Sequence, residues 1–124
     1  MTLVLDTGAL IAVERVDRAT LTLMEAARRE GHSLVVPAGV LAQAWRGGSR
    51  QARLARFLAA RGVDVEVLTD PVARAAGIVC GHAGTADIVD ASVVVAARRR
   101  RAAIVSSDRA DLELLDPGIA VLDC

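Results

Sequence analysis

Five short runs rich in β-branched residues divide this chain, and segments with helical spacing separate them. The runs cover about residues 2–5, 33–36, 63–67, 102–105 and 119–122. They are largely apolar at successive positions and do not alternate, as expected of parallel strands that helices cover on both faces. The pattern predicts an α/β fold, a three-layer sandwich with a central, mostly parallel sheet of about five strands flanked by helices.

Helix-boundary residues stand between these runs. Pro37 suits the first turn of a helix that stops at the glycine pair 47–48, and the Asp-Pro pair at 70–71 begins another helix. Thr85 is a plausible cap for a helix over about residues 86–100. That last segment is apolar on nearly all sides, so we expect it to lie against the sheet.

Length and composition fit one compact domain. The chain has 124 residues, 53% of them hydrophobic, which is enough to bury a core. We find no repeat, low-complexity segment or linker, and we expect residues 1–124 to form a single domain. No apolar run approaches the ~20 residues that span a membrane, and no secretory leader is recognisable. We therefore expect a cytoplasmic protein with no membrane contact.

Cysteine content and charge argue against further classes of protein. Two cysteines form neither a disulfide framework nor a zinc cluster, and we expect Cys80 to fill the core and Cys124 to lie in a loose tail. The formal net charge is zero, so attraction to nucleic acid must come from local patches. All 15 basic residues are arginines.

Two of the apolar runs end on an aspartate. Asp6 follows the first run and Asp108 follows the fourth, while Asp87 and Asp90 stand three apart on a predicted helix and so share a face. Ligands of open parallel sheets bind beyond the carboxyl ends of the strands, near the point where the strand order reverses. If the first and fourth strands are neighbours, these carboxylates converge.

A cluster of carboxylates without a nearby lysine predicts a cation. Like charges raise one another's pKa and resist joint ionisation. Magnesium prefers oxygen ligands, and one or two such ions can activate water and stabilise the leaving oxygen when a phosphodiester is cut. The sequence therefore points toward metal-assisted phosphodiester hydrolysis.

Structural alternatives exist for each acid. Asp87 can complement the amino-terminal end of its helix, and Asp6 and Asp108 can cap the helices that follow them. Among rival functions, a receiver domain needs a lysine late in the chain, and a haloacid-dehalogenase-type phosphatase needs an aspartate where Gly8 stands. Nucleotide binding lacks both the glycine-rich fingerprint and the phosphate-loop lysine. We expect Asp111 to face solvent.

Four stretches together resemble a known family. They are LVLDTGALIA, VVPAGVLAQAWRGG, DIVDASVVVAA and AIVSSDRADLELL, and they follow one another in the family's order over almost the whole chain. The chain resembles a PIN domain, and specifically the VapC ribonuclease toxins of bacterial toxin-antitoxin pairs.

The resemblance implies a PIN fold and an endoribonuclease that depends on Mg²⁺ or Mn²⁺. By position, Asp6 would be the first metal ligand, Asp90 the principal one from the late helix, and Asp108 the one after the fourth strand. Asp87 matches an additional acid that some members have. Ser106 matches a serine or threonine that orients water or the acids.

One position departs from the pattern. The helix that begins near Pro37 usually supplies a glutamate to the site, and Gln43 stands there instead. A glutamine carbonyl can still bind a metal ion or its waters, but it adds no negative charge. The alternative function is therefore a PIN-like domain with a degenerate metal site that binds RNA or protein without catalysis.

The resemblance also implies partners: an RNA substrate, a cognate antitoxin and a second copy of the chain in a homodimer. Arg46, Arg50 and Arg53 are the arginines that we expect to guide the RNA backbone. The run of four arginines at 98–101 is expected to be a solvated helix end far from the acids.

Overall fold

A computed structural model describes all 124 residues. The five strands are β1 (Thr2–Leu5), β2 (Ser33–Pro37), β3 (Val63–Glu66), β4 (Ala103–Ser106) and β5 (Val121–Asp123). The seven α-helices are α1 (Thr7–Glu14), α2 (Arg18–Arg29), α3 (Ala38–Ala44), α4 (Ala52–Ala59), α5 (Asp70–Ala83), α6 (Ile88–Arg100) and α7 (Arg109–Leu115). A single 3₁₀ turn at Ser49–Gln51 leads into α4.

The strands form one parallel sheet in the order β3-β2-β1-β4-β5. The chain winds outward from β1 on one side through β2 and β3, then returns to place β4 on the other side of β1. The strand order therefore reverses between β1 and β4, which is where ligands of such sheets bind. The predicted α/β class and the strand number are confirmed, and β1 and β4 are neighbours, which is the condition under which Asp6 and Asp108 converge.

The core lies on both faces of this sheet. Val4 and Leu5 of β1 are fully buried, and seven consecutive residues of α6, from Ala91 to Ala97, are also buried. A helix buried around most of its circumference must pack on several elements, and α6 contacts β1, β2 and β4 as well as α5 and α7. This confirms the expectation that α6 lies against the sheet, and it fixes where the helix begins.

Several predicted boundaries were wrong by a few residues. The helix after Pro37 ends at Ala44 instead of the glycine pair, and α6 begins at Ile88 with Asp87, not Thr85, as its cap. Strand β4 ends one residue later than predicted, so Ser106 is its last residue. Helix α2, which Asp17 caps, was not predicted.

The two cysteines differ in their surroundings. Cys80 is buried, as expected, and its thiol donates to the Asp87 carbonyl oxygen at 3.5 Å. Cys124 is not in a loose tail, because its backbone N–H donates to the Ser106 carbonyl oxygen at 3.0 Å and it packs at the edge of the core. Burial and nearby carboxylates raise the pKa of the Cys124 thiol to about 11.

No single helix has the length and apolar character needed to cross a membrane. Helices α5 and α6 reach that length only when they are taken together, and they are bent by 113° relative to each other.

Candidate active site

Asp6 stands where β1 ends and α1 begins, and its side chain is 3% exposed. One carboxylate oxygen, Oδ1, accepts from the Ala9 N–H at 3.0 Å and so caps α1. The other oxygen, Oδ2, accepts from the Ser106 hydroxyl. The predicted capping role is therefore present, and it holds the carboxylate in one orientation at the edge of the sheet.

Ser106 connects the two strand ends. Its hydroxyl is completely buried, donates to Asp6 and accepts from the Asp108 N–H at 2.8 Å. Asp108 occupies the cap position of α7, but its carboxylate makes no capping hydrogen bond and the residue is exposed. The Asp108 side chain therefore does not cap α7, and its carboxylate is available to a ligand.

Helix α6 brings the second pair of acids to the same end of the sheet. The Asp87 carboxylate accepts from the Asp90 N–H at 3.0 Å, which is the capping role considered for it. Asp90 lies one turn further on and is half-buried. Helix α6 packs against β1, and the charge of Asp6 is one of the smaller causes, after burial, that raise the pKa of Asp90.

Gln43 lies at the rim of this region, on α3. Its side-chain carbonyl oxygen accepts from the Thr7 hydroxyl at 2.6 Å, and Thr7 directly follows Asp6. The structure therefore brings the amide next to the acids, where the sequence placed it. The contact with Thr7 occupies one lone pair of that oxygen, and the amide supplies no charge.

Asp111, which we expected to face solvent, also lies beside the acids of α6. It is exposed, but it lines a cavity of about 270 Å³ together with Asp87 and Asp90, between the start of α6 and α7. Its position three residues after Asp108 on one helix was the available signal, because such residues share a face.

Electrostatics at this edge disfavour the charged carboxylates. Burial, then the neighbouring Asp87, and then Asp6 and Asp111 raise the pKa of Asp90 to about 7. Burial also raises the pKa of Asp6, and the charge of Asp108 adds to it, while the hydrogen bonds from Ser106 and Ala9 offset part of the rise. No cationic side chain is among the main influences on the pKa of either carboxyl group.

These residues fit a hard divalent cation that keeps much of its water. No three Asp, Glu, His or Cys side chains converge closely enough to form a complete ligand cage. Magnesium does not need one, because it commonly binds one or two carboxylates, several waters and substrate phosphate oxygens. Asp6, Asp90 and Asp108 supply oxygen donors, and a cation would offset the repulsion between carboxylates that helps to raise the pKa values of Asp6 and Asp90.

The predicted arginines divide into engaged and free groups. In the run at 98–101, Arg98 pairs with Asp116 at 2.7 Å, and the next two arginines pair with Glu66. Arg46 donates to carbonyl oxygens at the end of α3. Arg50 and Arg53 are exposed on the segment that follows α3.

Similar folds occur among solved structures. A chain of VapBC2 from Rickettsia felis, solved bound to a DNA fragment from its promoter, is 13% identical with a TM-score of 0.75, over 100% of this chain and 99% of that one. A chain of FitAB bound to an IR36 DNA fragment is 15% identical with a TM-score of 0.67, over 98% and 94%. PAE2754 from Pyrobaculum aerophilum is 21% identical with a TM-score of 0.65, over 99% and 92%. At these identities the likeness shows the fold.

Family membership rests on the sequence itself. No curated protein matches the chain significantly. The PIN domain family model, however, matches residues 3–116, and that span includes each of the acids described above. The chain therefore belongs to the PIN domain family.

Proposed function

We propose that this protein is a metal-dependent endoribonuclease and the toxin of a toxin-antitoxin pair. The observation that carries the proposal is the set of Asp6, Asp90 and Asp108 where the strand order reverses between β1 and β4. PIN domains are typically nucleases and generally use divalent metal ions, which supports a hydrolase at this site. RNA as the substrate follows from the resemblance to VapC ribonucleases.

Each acid has a distinct task in this proposal. Asp6 is held rigid by Ala9 and Ser106 and offers a fixed carboxylate to the cation. Asp90 would offer a second carboxylate to the cation from α6, and because its pKa is raised to about 7 in the metal-free protein, metal binding there would release a proton. Ser106 sets the relative positions of Asp6 and Asp108. When bound, Mg²⁺ or Mn²⁺ would supply an activated water and stabilise the leaving oxygen.

A non-catalytic binding module is the second candidate, and Gln43 is the observation that favours it. The amide replaces a charged oxygen donor and is already bonded to Thr7. A site with one acid fewer attracts a cation less strongly, because metal affinity follows the number of charged ligands. Catalysis and binding alone are separable by assay, since only the former changes the length of an RNA.

The decisive test is RNA cleavage by matched aspartate variants. We expect the wild-type protein to cut end-labelled RNA only with Mg²⁺ or Mn²⁺, and Asp6→Asn or Asp90→Asn to lower the rate by about 100-fold or more. Asp64→Asn, which changes an exposed acid on β3, is the control and should cut at the wild-type rate. Equal cleavage by all four proteins would overturn the assignment, and binding of RNA without any cleavage would favour the module.

An antitoxin is the proposed protein partner, and a groove between α3 and α4 is its proposed docking surface. VapBC2 and FitAB, the complexes named above, support a partner of this kind. The groove encloses about 540 Å³ and is lined only by apolar residues, among them Leu41, Trp45 and Leu58. Trp45 is 41% exposed there, a large aromatic surface left in contact with water.

The chain segment that carries the groove is basic, and this indicates the chemistry of the occupant. No acidic residue occurs between Glu30 and Asp64, while five arginines lie in that interval, at positions 46, 50, 53, 56 and 61. An antitoxin segment that places apolar side chains in the groove and acidic ones at its rim would match both features. For the free protein we also propose a homodimer, which the resemblance implies.

A further inference from the structure

A second cavity lies next to the acids, on the side of α1. It encloses about 590 Å³, and its lining includes Gly8, Ala12 and Arg15 from one face of α1, together with Ser107. It ends at the turn between α1 and α2, where Arg18 contributes its side chain. The volume is that of a site for a small molecule or one nucleotide.

The cavity opens beside the catalytic edge. Gly8 stands two residues after Asp6, and Ser107 stands directly before Asp108, so the same two strand ends supply the acids and the cavity wall. The elements are tightly apposed there, because a Cβ at Gly8 would collide with the Ser107 hydroxyl oxygen. The cavity wall and the acids are therefore neighbours along the same two strand ends.

The charges of the cavity suit an anion. Arg15 and Arg18 are exposed and take part in no ion pair. Asp17 is the one acidic side chain in the lining, and its carboxylate already accepts from the backbone N–H and the hydroxyl of Thr20. Cys124 also lines the cavity, and burial together with the charges of Asp6, Asp17 and Asp123 raises the pKa of its thiol, so the arginines stand beside acids at the wall nearest the strand ends. The lining therefore contains two guanidinium groups that form no ion pair and one carboxylate that caps a helix.

The remaining lining suits the uncharged parts of a nucleotide. Ile11, Ala12 and Val16 give the cavity an apolar wall beside the arginines. Apolar wall and guanidinium groups together match a base or ribose that carries phosphates at its ends. An ordinary ion-pairing surface would lack the wall, and an apolar groove would lack the arginines.

We propose that this cavity binds the nucleotide next to the phosphodiester being cut, and that Arg15 and Arg18 contact the phosphates of that RNA strand. The inference rests on the proposed ribonuclease function and adds a path for the substrate: over the acids and along α1. Arg50 and Arg53, which the sequence suggested for the same task, lie near the α3–α4 groove and not in this cavity.

The test is binding of a fluorescein-labelled single-stranded RNA, followed by anisotropy in EDTA so that cleavage cannot occur. We expect the double variant Arg15→Ala/Arg18→Ala to bind roughly tenfold more weakly. The slope of its log affinity against log salt concentration should become shallower by about 0.7 for each phosphate that the variant no longer neutralises. Arg29→Ala/Arg101→Ala removes the same net charge at two exposed arginines that take part in no ion pair and lie outside the cavity lining, and it should bind within about twofold of wild type. Ala12→Glu, which places a carboxylate in the cavity, should weaken binding like the first pair.

Equal affinities for wild type and Arg15→Ala/Arg18→Ala would overturn the inference, as would equal reductions in affinity in both double variants. Circular dichroism and melting curves of each variant show whether it remains folded. The ribonuclease proposal is judged separately, by cleavage with Mg²⁺ or Mn²⁺. If Arg15→Ala/Arg18→Ala binds RNA more weakly but the wild-type protein cleaves none, the cavity is an RNA-binding site and the nuclease proposal is wrong. If the wild-type protein cleaves RNA but Arg15→Ala/Arg18→Ala binds RNA as well as wild type does, the nuclease proposal holds and the cavity inference is wrong.

Discussion

Asp6 shows at the scale of one residue how a fold can hold an acid where acids are costly. Its buried carboxylate uses one oxygen to cap α1 and the other to accept from Ser106. Hydrogen bonds to the charged form offset part of the cost of burial, although the pKa of Asp6 still lies above its usual range. Asp6 therefore belongs to the candidate site and also stabilises the fold as the cap of α1.

Asp90 gives a prediction about pH. Its pKa is about 7 in the folded protein against a reference of 3.8, so between these values the native state holds a proton that the unfolded chain has released. The stability that depends on this proton is therefore fully present only below about pH 4, and it is lost as the pH rises through 7. We expect metal-free Asp90→Asn to melt at a higher temperature than wild type at about pH 8, and at nearly the same temperature at about pH 4.

Thermal melts in EDTA at the two pH values check this prediction, with Asp64→Asn as the control. A lower melting temperature for Asp90→Asn at the higher pH would mean that the Asp90 carboxylate stabilises the fold. In that case the repulsion among Asp90, Asp87 and Asp6 could not be the reason for a cation at the site.

At the scale of elements, much of the fold follows from the sequence. Continuously apolar runs predict parallel strands, because a sheet covered on both faces buries every side chain. The acids at the ends of β1 and β4 were predictable for the same reason, since carboxyl ends of parallel strands share an edge. Boundaries were less predictable: Thr85 and Asp87 can both cap a helix, and in the structure Asp87 accepts from the Asp90 N–H while Thr85 accepts from the Asp87 N–H before the helix begins.

Packing also explains why the sequence analysis did not place Asp111, Arg15 and Arg18 near the acids. Asp111 lies on a polar face of α7 that the sequence predicts to be solvated, and only the placement of α7 beside α6 brings it to the cavity with Asp90. Arg15 and Arg18 flank the turn at Val16, whose φ of 59° is unusual for a β-branched residue and follows from no local signal.

The groove between α3 and α4 gives a prediction at this scale. We expect Trp45→Glu to prevent co-purification with the proposed antitoxin when the two proteins are co-expressed, because the substitution places a charge in the apolar groove proposed to bind an apolar segment. Ile78→Glu, which changes an exposed apolar residue of α5, is the matched control and should retain the partner.

Light scattering of the free Trp45→Glu protein separates the possible occupants. A change from dimer to monomer, with antitoxin binding intact, would assign the groove to a second copy of the chain and contradict the proposed docking. Retention of the antitoxin by both variants would place the partner on another surface.

Across the whole molecule the net charge is zero, but acidic and basic residues occupy different parts of the chain. Acids gather at the carboxyl edge of β1 and β4, the interval 31–63 carries arginines without acids, and the run at 98–101 is largely held in ion pairs. Overall charge therefore says little about nucleic acid here. What decides function is whether the acidic edge holds a cation strongly enough despite Gln43.

Titration of the protein with Mn²⁺, followed by electron paramagnetic resonance of the free ion, tests this claim most directly. We predict that wild type binds Mn²⁺, that Asp6→Asn binds roughly tenfold more weakly, and that Gln43→Glu binds roughly tenfold more tightly because it adds a charged oxygen ligand. A wild-type protein that binds no Mn²⁺, or binding that neither substitution alters, would contradict a metal site at Asp6, Asp90 and Asp108.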